Sequence, residues 1–114
     1  MIQCNINLYI FIFNKDKLVY EVISKNLDTF SVPSKTIECE QNIQTTLEHI
    51  FKQHIDLDPL YTNFVLADVN NSCVLNVDYF CLVPYSTKIK QGQAISIKNE
   101  KIYSATIRQI MAKL

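Results

Sequence analysis

The stretch FSVPSKTIECEQNIQTTLEHIFKQHIDL, Phe30 to Leu57, decides how this chain is organised. Phe30 to Val32 reads as a short strand stopped by Pro33, which has no N–H to give to a ladder. Asn42 is the expected N-cap of a helix, because its side chain can accept from an unpaired amide of the first turn. Ile43, Leu47, Ile50, Phe51 and His54 follow at helical intervals and form one stripe that must be buried. Gln41, Gln44, Glu48 and Lys52 lie on the opposite side, with Glu48 and Lys52 in the favourable acid-before-base order. The helix ends near Ile55, and Pro59 prevents its continuation.

Upstream, Ile6, Leu8, Ile10 and Ile12 alternate with Asn5, Asn7, Tyr9, Phe11 and Phe13, a period of two that reads as a strand apolar on both faces towards its end. Asn14 to Lys17 is a hairpin turn, Leu18 to Ile23 the partner strand, and Lys25 to Thr29 a loop. Downstream, Leu60 to Val69 and Val74 to Val83 read as two strands joined by Asn70-Asn71-Ser72. Pro84 to Gly92 is loop, Ala94 to Ile97 a short strand, and Tyr103 to Leu114 a second helix with Ile102, Thr106, Ile110 and Leu114 on one face. This order fits a mixed α/β sheet flanked by two helices, an α/β/α sandwich. At 114 residues and 48% hydrophobic content, the chain closes one core, so residues 1–114 are expected to form a single domain.

Composition removes several function classes. Acidic and basic residues balance at 11 each, so no global field draws the protein to nucleic acid or membrane. Lys88, Lys90, Lys98, Lys101, Arg108 and Lys113 face only Glu100 after residue 85, a solvated basic face. Arg108 is the single arginine, and direct nucleic-acid reading is not expected from a chain so poor in the side chain that forks onto phosphates and guanine. Gly92 is the single glycine, which excludes a P-loop, a dinucleotide fingerprint and a serine nucleophile elbow. Cys4, Cys39, Cys73 and Cys81 lack C-x-x-C spacing, and Cys73 and Cys81 on one extended strand would lie roughly 26 Å apart at about 3.3 Å per residue, beyond disulfide reach. They are expected as buried free thiols in a reducing, cytoplasmic compartment. Met1 to Phe13 has no basic n-region, and no apolar run approaches a membrane helix.

The spacing within Phe30 to Leu57 resembles a Nudix hydrolase box, in which an apolar residue and Pro-Gly-Gly lead through a Glu, seven residues and then Arg-Glu-apolar-x-Glu-Glu-x-Gly-apolar. Val32 and Pro33 lead into Ser34 and Lys35 where the glycines would stand. Gln41 falls at the Glu position, His49 at Arg, Ile50 at Glu, Gln53 and His54 at the Glu pair, and Asp56 at Gly. Phe51 and Leu57 keep the apolar positions. Leu60-Tyr61-Thr62, Asp68 and Val77 to Pro84 are similar to the Nudix domains of NAD-metabolism transcriptional regulators and of ADP-ribose pyrophosphatase-like proteins. In the regulators a non-catalytic Nudix domain commonly precedes a winged helix; these residues end before one, and the resemblance carries the Nudix part alone.

The resemblance implies hydrolysis of nucleoside diphosphate derivatives through divalent metals held by box glutamates. Ile50 offers no ligand, Gln53 a neutral carbonyl and His54 a nitrogen that magnesium disfavours, so a metal clamp, a cofactor and catalytic residues are all expected to be absent. His49 and His54 do not make a transition-metal pair, since their spacing sets them roughly 140° apart on a helix at about 100° per residue. Glu38 and Glu40 stand near the box Glu position and read as a solvated helix entrance. Glu38, Glu40, His49 and Gln53 are the candidate ligand-binding residues of the vestigial cleft. Most of the six tyrosines read as half-buried strand residues with their hydroxyls at water rather than as a base-stacking platform. Three functions follow in order: an inactive interaction or assembly module with a protein partner or a second copy; a sensor of a nucleotide-derived ligand such as ADP-ribose; a divergent nucleoside diphosphate hydrolase. The docking surface is expected on the outer faces of Leu8 to Phe13 and Val74 to Val83.

Overall fold

A computed structural model describes residues 3–26, 29–38, 41–71, 75–99, 102 and 104–114. The fold is built on β1, Gln3–Asn14, which is paired along both of its edges. On one edge, β2 (Val19–Ser24) runs antiparallel to the end of β1, with Phe11 opposite Val22, and β3 (Ser34–Glu38) runs antiparallel to its start, with Cys4 opposite Ile37. On the other edge β6, Leu75–Val83, is parallel to β1 over Cys4 to Ile12. Outside β6 lies β5, Val65–Asn71, and outside β2 lies β8, Gln93–Ser96, giving the order β5-β6-β1-β2-β8. Ile55–Asp56 (β4) and Lys88–Ile89 (β7) make a separate two-stranded bridge.

The alternation of β1 divides the core in two. Cys4, Ile6, Leu8, Ile10 and Ile12 face α1, Ile43–His54, whose Leu47, Ile50 and Phe51 complete that cluster. Tyr9 and Phe11 face the other way, where α2, Ala105–Met111, brings Ile107 and Ile110, joined by Ile102. One helix thus covers each face of the mixed sheet, as the α/β/α reading requires.

Asn42 caps α1, its side-chain oxygen accepting from the Thr45 amide at 3.3 Å. Ile43 is only partly buried and Thr46 is buried, so the stripe is one residue wider than the apolar pattern. Glu48 accepts from Gln44 Nε2 at 3.3 Å, so the contact it makes lies one turn back rather than towards Lys52. His54 sits in the core, with Nδ1 3.0 Å from the Gln91 carbonyl oxygen. Since a carbonyl only accepts, Nδ1 carries the proton. The His54 carbonyl in turn accepts from the Lys90 amide at 2.7 Å, tying the end of α1 to the loop before Gly92.

Several expectations are corrected. The strand lies after Pro33 rather than before it. Phe30 to Val32 is irregular, because the buried Ser24 hydroxyl accepts from the Ser31 amide (3.0 Å) and the Pro33 carbonyl accepts from Leu8 (2.9 Å), leaving the ladder to start at Ser34. Pro59–Tyr61 is a 3-10 turn capped by Asp58, whose Oδ1 accepts from the Leu60 amide at 3.0 Å, and β5 starts only at Val65. In α2 it is Ile107, not Thr106, that is buried. The outer faces of Leu8 to Phe13 are not free, since Leu8 to Ile12 are all buried under one helix or the other. Cys4 is disulfide-bonded, so the four cysteines are not all free thiols and do not indicate a reducing compartment. Cys81 is a buried free thiol, pushed up by burial and therefore inert. Cys39, Glu40, Cys73, Tyr103 and part of the Asn70-Asn71-Ser72 turn fall outside the described residues. No helix of the described residues is long and apolar enough to cross a membrane.

Two stability measurements check this packing. Leu47 is 1% exposed, and Leu47→Ala is expected to cost about 2 to 5 kcal/mol in chemical denaturation. Gly92 has φ +91°, and a Cβ there would run into the Ser24 carbonyl. Gly92→Ala should therefore lower stability by at least the roughly 1 to 3 kcal/mol of a strained backbone position, and an unchanged midpoint would refute this packing of the 88–92 loop on β2.

Candidate functional site

A polar cleft of about 390 Å³ opens where β3 leads into α1. Lys35 and Ile37 reach it from β3, Gln41 and Asn42 from the helix entrance, and Thr45, Thr46 and His49 from the first two turns of α1. Ile37 is the buried floor. Asn42 and Thr46 are spent on the helix itself, since the Thr46 hydroxyl donates to the Asn42 carbonyl at 3.1 Å. Lys35, Gln41, Thr45 and His49 are exposed, and they offer donors and one fixed positive charge.

The sequence candidates separate. His49 lines the cleft, and Gln53 lies beside it with its amide nitrogen 3.3 Å from His49 Nε2. An amide N–H only donates, so His49 Nε2 accepts and Nδ1 holds the proton. Glu38 is exposed at the end of β3, opposite Gln3, and does not line the cleft. Glu40 is outside the described residues. Ile50 is 1% exposed and faces the core, while His54 is turned inward to Gln91, so neither reaches the cleft. Lys35, Thr45 and Thr46 were not signalled by residue type, since only the placement of β3 after Pro33 brings them together. Among the described residues no group of three or more His, Cys, Asp or Glu is arranged to hold a metal ion.

A second cleft, of about 380 Å³, lies at the far end of the sheet between Phe13, Lys15, Tyr61, Leu82, Val83, Pro84 and Tyr85. Tyr61, which lines it, and the adjacent Leu60 are 82% and 84% exposed. Tyr85 closes one side, its hydroxyl donating to Asp16 Oδ2 at 3.3 Å.

The third polar feature lies on the α2 side of the sheet. Asn5 donates to Asn76 at 2.9 Å and Asn7 to Asp78 at 2.8 Å, bridging β1 to β6. The β5–β6 register sets Asp68 directly opposite Asp78, with an irregularity between Leu66 and Asp68. Burial raises the Asp78 carboxyl above the usual carboxylate range, Asp68 raises it further, and hydrogen bonds from Asn7 and Thr106 oppose the shift. Tyr9, in the same network, is pushed up to about 12 by burial first and by Asp78 next.

A mixed sheet held between two helices, with the longer helix entered from a short strand through a polar cleft, is the Nudix-like fold. Solved structures agree. The Nudix domain of Shewanella oneidensis NrtR, in complex with ADP ribose, superposes with a TM-score of 0.67 at 13% identity, over 99% of this chain and 88% of that one. Caenorhabditis elegans Ap4A hydrolase gives 0.69 at 7% identity, over 99% and 98%. A MutT/nudix family protein from Enterococcus faecalis gives 0.60 at 10% identity over 84% of this chain, which spans 44% of that protein. At these identities the likeness is one of fold. No family model matches the sequence, and no curated protein does.

The opposed aspartates give a pH prediction. A carboxyl with a raised folded-state pKa contributes stability that is fully present below its unfolded value and lost as pH rises through the folded value. Asp78→Asn keeps the acceptor for Asn7 and removes the charge, so it should stabilise the protein at pH 7. That gain should shrink as pH falls through the carboxylate range. Urea midpoints of the two proteins between pH 4 and 7 check this, and a gain that grows on acidification would contradict it.

Proposed function

We propose that residues 1–114 act as one Nudix-like domain that serves as an interaction or assembly module and hydrolyses no nucleoside diphosphate derivative. The observation carrying this reading is the number of exposed large apolar side chains on β5, on the end of β6 and in the segments beside them: Leu60, Tyr61, Val65, Leu66, Val69, Leu82 and Tyr85. Exposed patches of this kind mark protein contact sites. The cleft at α1 gives the matching chemical argument. Ile50 and His54, at box metal-glutamate positions, are buried and Gln53 is neutral, so magnesium would find no hard anionic clamp on this helix.

A second reading is favoured by the Lys35–His49 cleft, whose exposed donors suit an anionic group without a metal. NrtR holds ADP ribose in the same fold, and a sensor of a nucleotide-derived ligand would use Lys35, Gln41 and His49, with Gln53 positioning His49.

The purified protein should turn over neither ADP-ribose nor Ap4A with magnesium or manganese, while a partner captured in the native host should be lost from a Leu60→Ser, Tyr61→Ser double variant and kept by Lys35→Ala. Metal-dependent turnover abolished by Glu38→Gln or Glu40→Gln would overturn the proposal. Thermal stabilisation by ADP-ribose that Lys35→Ala removes, in a monomer with no captured partner, would move the function to the sensor.

A further inference from the structure

The proposed interaction role can be given a partner chemistry, and the inference below rests on that role. β5 is an outer strand of the sheet, with β6 on one edge and no described strand on the other. Such an edge presents unpaired N–H and C=O groups, and proteins usually blunt it with lysine, proline, a bulge or a covering element. Val65 to Asn71 contains neither lysine nor proline. The irregularity at Ala67 is the single guard within the strand, and it leaves Asp68 to Asn71 as the regular stretch.

The two faces of this edge differ in chemistry. Towards α1, Leu66 stands opposite Tyr79 and Val69 opposite Val77, and they are 48% and 43% exposed. Towards α2, Asp68 stands opposite Asp78. Among the described residues, Asn7, Thr106, Tyr9 and Asp68 act on Asp78, and none of these four is a cation. Asp68 is exposed, and its Oδ1 accepts from the neighbouring Val69 amide at 2.8 Å. Like charges directly opposite each other across a strand pair are destabilising, so this pair is a standing repulsion on the sheet margin.

We propose that the outer edge of β5 takes an extended segment of a partner protein as an added strand, with a lysine or arginine of that segment set against the Asp68–Asp78 carboxylates and apolar residues on either side of it set against Leu66 and Val69. Strand alternation produces this pattern: a residue that points to the α2 face is flanked by two that point to the α1 face. Main-chain hydrogen bonds supply affinity in strand addition and alternate side chains supply selectivity. Charge complementarity decides against a second copy. A second β5 would bring another Asp68 and no cation, and β8, Gln93 to Ser96, carries no cation either.

The test is an amide-resolved NMR titration of the full chain with the blocked peptide Ser-Thr-Val-Lys-Val-Thr-Ser and with its Lys→Glu counterpart. The lysine peptide should perturb Asp68 to Asn71, weaken as salt rises, and bind at least tenfold more tightly than the glutamate peptide. Asp68→Asn, an exposed change whose folding is checked by its melting temperature, should remove most of that difference. Equal affinity for the two peptides, binding of neither at millimolar concentration, or perturbations confined to the Lys35–His49 cleft would each overturn the proposal. Concentration-dependent shifts at β5 without peptide, together with a dimer in light scattering, would overturn it in favour of a second copy. If the peptides fail while partner capture still depends on Leu60 and Tyr61, the interaction role stands and only the strand-addition mode falls.

Discussion

The constraint on which the structure depends is the double burial of β1. Ile6, Leu8, Ile10 and Phe11 have no exposed surface, and the strand is paired on both edges, so its backbone and both side-chain rows are committed at once. Everything else is arranged to meet those commitments. β2 and β3 share one edge end to end, β6 covers the other along nine residue pairs, and each helix is needed because each face of β1 is apolar. A one-residue slip of β1 against β6 would exchange the rows facing α1 and α2 and break the Asn5–Asn76 and Asn7–Asp78 bonds together. Those two polar pairs give the parallel contact a register that apolar packing alone would fix less firmly.

What was legible in the sequence was the local part. β1, β2 and α1 announce themselves through period and caps; Asn42 is the N-cap, and the expected end near Ile55 lies within a residue of His54. β3 was missed because a single buried residue, Ile37, marks it, and its other side chains are those of a loop. The 3-10 turn was missed because Leu60 and Tyr61 look like strand residues, whereas Asp58 and Pro59 close the turn first and leave both side chains in water. His49 could be placed near a cleft by spacing, but the Lys35 that faces it depended on where β3 begins. The Asp68–Asp78 opposition was out of reach, since it depends on the irregularity at Ala67 and shifts by a residue without it.

In α1 the positions that the resemblance sets against box glutamates carry structural side chains. Ile50 is sealed among Leu47, Phe51 and the β1 row. A carboxylate in that place would have to be desolvated with no partner in view, at a cost well above that of a surface substitution. His54 holds the loop before Gly92 through the Gln91 and Lys90 backbone groups. The helix is therefore secured at both ends by polar contacts and along its length by apolar ones, and its first two turns alone still border a cleft.

That distribution bears on where selection can act. The cleft tolerates substitution without loss of fold, because the side chains of Lys35, Gln41 and His49 are exposed and lie outside the core clusters. The opposite edge does not share this freedom. Asp78 is tied to β1 through Asn7 and to α2 through Thr106, and the repulsion from Asp68 is borne by the strand pair that ends the sheet. Like charges set opposite each other at a sheet margin lower stability, and a cation brought to the same pair would turn it into an attraction. The outer margin of β5 therefore joins exposed apolar side chains on one face to opposed carboxylates on the other, an arrangement that the double burial of β1 does not call for.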